Sequence, residues 1–302
     1  MDKISLYWWS PVREPRSLAL ETRIAFRGWM RAARRGGMPL RNFGDELSRT
    51  VVAEAFGEDV AWAPPSRAKL FAVGSILERA IVGRESCTVW GSGLRSHNAL
   101  EARMTHIDRS THFAAVRGVL TREQLGLPLN TPLGDPALLV RSLFPHIQGG
   151  NGTVLLPHYR AFNDPDAYGL IQRAEHLGWT VLSPTDSLGK IVSVINAASI
   201  VFSSSLHGKI VADALGTPAV LVHFGHRTED DYKYDDYLSV WGYRAEFIDV
   251  REALDGNPRT AKDSATRQRD IIDSKIDSVV DRLRESAATA RADVIGERTM
   301  RR

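Results

Sequence analysis

The sequence has little cysteine and none of the familiar metal-binding spacings. Cys87 is the only cysteine in 302 residues, which excludes an internal disulfide and a cysteine-rich metal site and favours a reducing compartment such as the cytoplasm. We expect its thiol to be buried and inert. The nine histidines show no HExxH or HxH spacing, and the acidic residues form no calcium-binding loop, so we predict no metal site.

Signatures of several common enzyme classes are also missing. The sequence has neither a GxSxG elbow nor a GxxxxGK[ST] loop, which disfavours serine hydrolases and P-loop nucleotide enzymes. The GSG at residues 91–93 is not part of a GxGxxG fingerprint that opens a helix, so dinucleotide binding is not indicated. We expect no bound cofactor.

Long hydrophobic runs are absent as well. The longest apolar-leaning run, residues 191–202, contains Ser193, Asn196 and Ser199 and is well short of the ~20 residues that a membrane span needs. The N-terminal MDKISLYWWSP lacks the basic start, apolar stretch and cleavage site of a secretory signal, so we expect the mature chain to begin here. These features favour a cytoplasmic protein.

The formal net charge is only +3, but arginines are concentrated near the N-terminus. Residues 23–41 contain six of them, namely Arg23, Arg27, Arg31, Arg34, Arg35 and Arg41. One interpretation is a solvated helix face. The other is a peripheral contact with anionic lipid at the inner face of the membrane, or with a lipid-linked pyrophosphate, because arginine pairs well with phosphate. Nucleic acid is not an expected partner, since no recognisable binding module with interleaved aromatic residues is present.

Apolar runs of strand length alternate with stretches of helical period, which predicts an α/β fold with parallel sheets and crossover helices. A chain of 302 residues suits two domains. We predict two doubly wound, Rossmann-like lobes that face a cleft, over residues 1–147 and 148–260, with IQGGNG at 147–152 as the boundary. An amphipathic helix and a frayed tail are predicted over residues 261–302. The predicted strands lie near residues 4–8, 70–73, 88–90, 113–116, 153–156, 179–182, 200–203 and 219–223.

The most informative segment is SIVFSSSLHGKIVADALGTPAVLV, residues 199–222. It reads as strand, serine turn, helix and strand, which places Ser205 and His207 where a strand ends and a helix begins. Ligands bind at that edge of open α/β sheets, and helix amides favour an anion there. A histidine beside bound phosphate would be favoured in its protonated form, as a general acid requires. A plain helix-capping role for His207 is the alternative.

Two glycine-containing segments could bring the backbone close to a ligand. In NFGDEL, residues 42–47, Gly44 permits close approach, and Asp45 lies at a predicted helix N-terminus, where a plain amino-cap is the alternative to ligand contact. In VWGSGLRS, residues 89–96, a strand delivers a small-residue loop and Arg95 to the cleft.

Arg117 ends the strand of FAAVRGVLTREQLG, residues 113–126, where it is placed to clamp a carboxylate or phosphate in the cleft. Thr121 and Gln124 are interpreted as a capping box for the helix that follows. In LGDPALLV, residues 133–140, Asp135 is expected to serve as a structural helix cap.

Two later segments carry charges beyond strand ends. VLLPHYR, residues 154–160, places His158 and Arg160 in a loop. Residues 223–242 contain His226, Arg227, Lys233, Asp235 and Asp236. For any single charge in either segment, a solvated surface loop is the preferred interpretation.

Taken in order, these segments resemble the motifs of the polysaccharide pyruvyl transferase family. The matching pieces are NFGD at 42, VGSIL at 73, WGSG at 90, VRG at 116, GDPA at 134, SLHGKIVADALGTPAV at 205 and DYKYDDYLSVWG at 231. Their order is more specific than any one of them, and together they span roughly residues 6–242.

The resemblance implies an architecture similar to that of the two-lobed GT-B glycosyltransferases, with the acceptor on the N-terminal lobe and the donor on the C-terminal lobe. It implies phosphoenolpyruvate as donor and a hydroxyl pair of an exopolysaccharide or other cell-surface glycan, free or lipid-linked, as acceptor. His207 would be the acid that acts on the enolpyruvyl group, Arg117 would hold donor carboxylate or phosphate, and Lys233 would add an anion contact. The other expected substrate-binding residues are Asn42, Gly44, Asp45, Gly91, Ser92, Gly93, Arg95, His158, Arg160, Ser205 and Lys209.

The sequence departs from the family pattern in two places. About thirty residues separate the first strand from NFGD, which indicates an inserted basic helix, and Ser205 stands where many relatives have arginine. If that arginine binds donor phosphate in relatives, either Arg160, Arg227 or Lys209 replaces it here or the donor binds in a different pose. Two other functions stay open, namely a GT-B-like glycosyltransferase with a nucleotide-sugar donor and an inactive relative that acts as a scaffold.

Overall fold

The computed structural model describes residues 3–10, 13, 19–38, 41–81, 86–99, 111–145, 150–225, 231–256 and 258–296. The strands are β1 (Ile4–Tyr7), β2 (Val60–Trp62), β3 (Leu70–Phe71), β4 (Thr88–Trp90), β5 (His112–Ala115), β6 (Thr153–Leu156), β7 (Thr180–Val181), β8 (Ile200–Ser203), β9 (Ala219–His223) and β10 (Phe247–Asp249). The helices are α1 (Ala19–Ala33), α2 (Phe43–Phe56), α3 (Leu77–Ile81), α4 (Val119–Gln124), α5 (Val140–Leu143), α6 (Pro165–His176), α7 (Leu188–Asn196), α8 (Leu206–Ala214), α9 (Tyr232–Ser239), α10 (Val250–Asp255) and α11 (Pro258–Ile295). Short 3-10 turns occur at His97–Ala99, Pro136–Leu139 and Tyr159–Phe162.

The strands form two five-stranded parallel sheets. The first has the order β2-β1-β3-β4-β5, and the second has the order β7-β6-β8-β9-β10. If the strands of each sheet are numbered from its own first strand, both orders become 2-1-3-4-5. Each sheet therefore reverses its winding direction between its first and third strands. Ligands of open parallel sheets bind at the C-terminal edge beside such a reversal.

Both faces of each sheet are buried. In β1, Leu6 packs into a core shared with α2 and α8, whereas Tyr7 packs into a second core on the opposite face. In β6, Leu156 joins the shared core and Leu155 a third core. Because successive side chains of a strand point to opposite faces, helices must cover both sides, as in Rossmann-like folds. The predicted α/β class is confirmed.

Each of the eight predicted strands overlaps an observed strand, but β2 and β10 were not predicted. Both are three-residue strands at the edge of their sheet. All but one of their residues are only partly buried, so these edge strands show less of the continuous apolar run that marks a fully buried parallel strand.

Helix α11 spans 38 residues and packs against both halves of the molecule. Nε1 of Trp90, at the end of β4, donates to Oγ of Ser286 at 3.0 Å. The apolar face of α11 buries Ile272, Ile276, Val279, Val280 and Leu283 in the shared core. Ile271, which precedes this buried set, is 41% exposed. Within the described ranges, neither this helix nor any other has the length and apolar character that a bilayer span requires.

The basic stretch near the N-terminus contains α1, which packs onto the second half of the chain. Nη1 of Arg31 donates to the carbonyl of Phe162 at 3.2 Å, and Arg35 pairs with Glu175. The exposed arginines of the stretch are Arg27, Arg34 and Arg41. The side chain of Arg23 lies outside the described residues. The interpretation of a fully solvated helix face is therefore wrong for Arg31 and Arg35, and the lipid contact stays a prediction.

Candidate functional site

A cavity of about 450 Å³ lies where the reversal points of the two sheets meet. Tyr7 and Trp9 reach it from the end of β1, Ser75 and Ile76 from beyond β3, His158 and Tyr159 from beyond β6, and Ser205, Leu206 and His207 from beyond β8. The lining is completed by Asn42, Asp45, Glu78, Arg79, Arg95, Ser96, Asn98, Ala99 and Lys233. The cavity thus occupies the place at which parallel sheets bind ligands.

The turn after β8 places His207 in the first turn of α8. Oγ of Ser203 holds this turn, since it donates to the carbonyl of Ser205 at 2.9 Å and accepts from the amide of Ser205 at 3.1 Å. Ser205 is the amino-cap residue, although its side chain makes no capping hydrogen bond. The predicted strand, turn and helix are confirmed. The alternative of His207 as the amino-cap is wrong because Ser205 holds that position.

Glycine residues leave room for the His207 ring. A methyl group at Gly44 would overlap Nδ1 of His207, and one at Gly74 would lie 3.7 Å from its Nε2. Nε2 is buried and has no hydrogen-bond partner among the described residues. Buried polar atoms are normally paired, so Nε2 is available to a molecule bound in the cavity.

We expect Gly44→Ala to displace the His207 ring and to lower the free energy of unfolding by about 1–3 kcal/mol, because it overpacks a filled site. The matched control is Gly169→Ala in α6, where an added methyl meets no atom within 4 Å. That change should be neutral or stabilising by up to about 1 kcal/mol. Urea unfolding measures both values, and equal effects would contradict the role assigned to Gly44.

The pKa of His207 is lowered to about 3, mainly by burial and then, in decreasing order, by the positive charges of Lys233 and Arg117 and by His158. The imidazole is therefore neutral at pH 7 in the unliganded protein. The expected protonated form thus requires a bound anion, because nearby negative charge favours imidazolium.

The depressed pKa of His207 predicts a loss of stability in acid. The unfolded chain binds a proton at this histidine near pH 6.5, whereas the folded protein does so only near pH 3. The free energy of unfolding should therefore fall as pH decreases through this window, by at most about 1.4 kcal/mol per pH unit. His207→Gln should weaken that pH dependence in urea unfolding at pH 7, 6 and 5. Parallel pH profiles for the two proteins would contradict this expectation.

The NFGDEL segment begins helix α2. Oδ1 of Asn42 accepts the amide of Gly44 at 3.1 Å, which makes Asn42 the amino-cap. The capping alternative for Asp45 is therefore wrong. Asp45 lies in the first turn, where the helix dipole favours an acidic residue, and it lines the cavity together with Asn42.

Arg117 does not face the cavity as predicted. Its side chain is 0% exposed, and its Nε donates to Oδ2 of Asp236 at 2.9 Å. Nη1 donates to Oγ of Ser75 at 2.6 Å, and Nη2 donates to the carbonyl of Leu94 at 2.6 Å. The guanidinium is thus held within the protein, behind the cavity-lining Ser75.

Asp236 performs the capping that was assigned to Thr121 and Gln124. Its Oδ1 accepts the amide of Thr121 at 2.7 Å, and its Oδ2 accepts the Thr121 hydroxyl at 2.7 Å. Gly118, not Thr121, is the amino-cap residue of α4, so the capping box is wrong. For Asp236, the interpretation of residues 223–242 as a solvated surface loop is also wrong, because this residue is buried in α9. His226 and Arg227 lie outside the described residues.

Gly91, Ser92 and Gly93 of the WGSG loop pack outside the cavity, against residues that adjoin it. Gly91 and Ser92 are buried, and Oγ of Ser92 donates to the carbonyl of Gly74 at 2.8 Å. A methyl group at Gly93 would overlap the guanidinium of Arg117. Gly91, Ser92 and Gly93 make these packing contacts outside the cavity lining, and their contact with substrate stays a prediction. Arg95, which follows them, does line the cavity.

Lys209 points into the core rather than into the cavity. Its Nζ is 2.5 Å from Oδ1 of Asp213, whose Oδ2 accepts the hydroxyl of Tyr237 at 2.9 Å. Arg160 lies outside the cavity lining, with its guanidinium carbon 5.9 Å from the centre of the Tyr159 ring. Neither Lys209 nor Arg160 is among the residues that line the cavity, so their role as a substitute for the family arginine stays a prediction. Lys233, by contrast, lines the cavity.

Several lining residues were not predicted from the sequence. Ser75 and Arg79 lie in or just after the VGSIL segment, and Trp9 and Tyr159 lie within three residues of strand ends. Their position after β1, β3 and β6 was the available signal, because ligands collect at these ends. Asp135 and Cys87 match expectation: Asp135 caps the turn Pro136–Leu139, and Cys87 is buried.

The two walls of the cavity differ in charge. The described lining residues from the second half include Lys233, His158 and His207 but no carboxylate, and the amino end of α8 adds partial positive charge. The first half contributes Arg79 and Arg95 and, against them, Asp45 and Glu78. This arrangement suits an anion on the second wall and a neutral polar molecule on the first. In the described part of the chain, no three His, Cys, Asp or Glu side chains are grouped to hold a metal ion.

Residues 42–223 match the family model described as polysaccharide pyruvyl transferase. The chain is also 26% identical, over 223 residues, to the succinoglycan biosynthesis protein ExoV of Rhizobium meliloti (strain 1021). That similarity covers 69% of this chain and 65% of the relative, so the chain spans slightly less than two thirds of the relative's length.

Proposed function

The chain belongs to the polysaccharide pyruvyl transferase family, and from this membership we propose that it transfers pyruvate from phosphoenolpyruvate to a hydroxyl pair of an exopolysaccharide sugar, as a ketal. Membership of this family supports the transferase activity and the glycan substrate in this proposal. The similarity to a succinoglycan biosynthesis protein favours an exopolysaccharide. Phosphoenolpyruvate as donor, the ketal product and a cytoplasmic location are the parts that we add.

One observation supports the donor most directly: Nε2 of His207 is buried without a partner in the described structure, on the cavity wall that lacks carboxylates. Phosphoenolpyruvate carries both a carboxylate and a phosphate. Its charge would be attracted by Lys233 and by the amino end of α8. Once bound, it would raise the pKa of His207 and so provide the proton that the reaction needs.

In the proposed mechanism, His207 donates its proton to the methylene carbon of the donor while a sugar hydroxyl attacks the carbon that bears phosphate. The bond between that carbon and the bridging oxygen of the phosphate then breaks, and phosphate leaves with the electron pair. A second hydroxyl bonds to the same carbon and closes the ketal. Of the two protons that the hydroxyls release, one restores His207 and the other leaves with phosphate. Positioning and electrostatic stabilisation supply the remaining catalysis.

The residues that would hold the donor differ from those expected. Lys209 and Arg117 are engaged in buried ion pairs. We assign the donor contact on the second wall to Lys233, while Arg79 and Arg95 contact the donor across the cavity from the first wall and so compensate for the serine at position 205. Arg117 becomes a positioning residue behind Ser75. In this proposal residues 148–260 form the donor lobe and residues 1–147 the acceptor lobe, as in a GT-B enzyme.

Thermal unfolding with phosphoenolpyruvate or uridine diphosphate tests the donor without knowledge of the acceptor. Ligand at a hundred times its dissociation constant adds about 2.7 kcal/mol of stability. We expect phosphoenolpyruvate alone to raise the midpoint, and Lys233→Ala to reduce the shift. The control is Lys262→Ala in α11, outside the cavity lining. A shift with uridine diphosphate instead would favour a nucleotide-sugar glycosyltransferase, and the absence of both shifts would favour a scaffold.

A further inference from the structure

Three aromatic rings stand together beside the cavity. The ring centres of Trp29 and Tyr159 are 4.6 Å apart with planes 9° from parallel. The ring centre of Trp9 lies 6.2 Å from that of Tyr159, with the two planes 16° from parallel. It lies 6.5 Å from the ring centre of Trp29, with those planes 23° from parallel. Trp9 and Tyr159 line the cavity, whereas Trp29 is 1% exposed and absent from the lining. We call this cluster, Trp9, Trp29 and Tyr159, the aromatic platform.

The platform is assembled from three separate parts of the chain. Trp9 follows β1, Trp29 lies in α1, and Tyr159 begins the turn after β6. Helix α1 is fastened to the second half by the contacts of Arg31 with Phe162, and it thereby holds Trp29 against Tyr159. The inserted basic helix thus contributes a buried tryptophan that supports the wall of the cavity.

The geometry points to a function beyond packing. Aromatic side chains in cores meet in tilted and edge-to-face arrangements as readily as in stacked ones, yet these three planes are all within 23° of parallel. Trp9 remains partly exposed to the cavity. The aromatic platform therefore borders the cavity through Trp9 and Tyr159.

We propose that the aromatic platform binds a pyranose ring of the acceptor glycan by stacking; this inference rests on the proposed function. A pyranose presents C–H groups on its face and hydroxyls around its edge. The face of an aromatic ring is electronegative and attracts such C–H groups, while polar side chains can hydrogen bond to the hydroxyls. Asn42, Ser96 and Asn98 lie in the same lining and supply those polar groups. The balanced charges of the first wall suit a neutral sugar.

Tryptophan fluorescence tests the platform. The probes are the methyl pyranosides of glucose, galactose and mannose and the β-linked glucose and galactose tetrasaccharides, each titrated in saturating phosphoenolpyruvate. We expect a saturable signal with at least one probe, and a dissociation constant raised roughly tenfold or more in Trp9→Ala. Trp9→Phe should restore most of the affinity, because it keeps an aromatic face. Tyr159→Leu provides a second test if Trp9→Ala does not fold.

The control is Trp179→Phe, because Trp179 stacks on Phe202 at 4.9 Å and lies outside the cavity lining. It should leave the dissociation constant unchanged, and phosphoenolpyruvate should still raise the unfolding midpoint of Trp9→Ala. If phosphoenolpyruvate raises the midpoint but no saccharide gives a saturable signal, the platform is overturned and the proposed function stands. If uridine diphosphate binds at Trp9 and phosphoenolpyruvate does not bind at all, both are overturned.

Discussion

Replacing His207 with alanine is expected to lower turnover by about 10²- to 10⁴-fold, the usual effect of removing a general acid, while phosphoenolpyruvate still binds. The fold should survive, because Nε2 makes no hydrogen bond to any described residue. The midpoint shift with phosphoenolpyruvate should also persist, since Lys233, Arg79 and Arg95 remain in the cavity. Such a loss of rate without a loss of donor binding identifies a group that acts in the transition state.

Phosphate release from phosphoenolpyruvate, in the presence of a lipid-linked or polymeric glycan fraction, measures this loss. His176→Ala is the matched control, because His176 lies at the exposed end of α6, away from the cavity. Wild-type rates are expected for that variant. Near wild-type turnover in folded His207→Ala would remove His207 from the proton transfer.

Local patterns were sufficient to predict the α/β class and eight of the ten strands that the structure describes. Strands β4, β6, β8 and β9 were located to the residue, because buried parallel strands are continuous apolar runs between turn residues. Sequence order then placed His207 and Ser205 at a strand end, and the topology placed that strand end at a reversal point. The short-range signals and the sheet topology agree at this site.

The direction in which a charged side chain points was harder to predict. Arg117 ends a strand where a ligand contact is plausible, but its buried partner Asp236 lies 119 residues away. No local pattern signals a contact over that separation. Lys209 and Asp213 are different, because their spacing of four residues on α8 is typical of a helical ion pair. The aromatic platform could not be predicted, because its three rings come from parts of the chain that lie far apart in sequence.

The ion pair of Arg117 and Asp236 carries the second large expected effect. Both side chains are 0% exposed, and Asp236 also caps α4 through Thr121. Removal of either partner leaves a buried charge without compensation, so Arg117→Ala and Asp236→Ala should each lower the free energy of unfolding by about 3–5 kcal/mol. The double variant should lose less than the sum, because the two losses are coupled. Urea unfolding measures all three values. Arg117→Lys and Asp236→Asn extend the test if the alanine variants do not fold.

The exposed pair of Arg173 and Asp255 is the matched control, with an Nη2–Oδ1 distance of 2.5 Å and side chains 45% and 62% exposed. Asp255→Ala should cost no more than about 1 kcal/mol, because solvent screens that pair. The same measurements separate the two roles considered for Arg117. If Arg117 is a positioning residue, its removal should cause a large loss of stability. Phosphoenolpyruvate binding should then weaken because Ser75 and α9, the helix that carries Lys233, are displaced. If Arg117 instead contacts the donor directly, its removal should weaken phosphoenolpyruvate binding in a protein of wild-type stability. That result would contradict the positioning role and support direct contact.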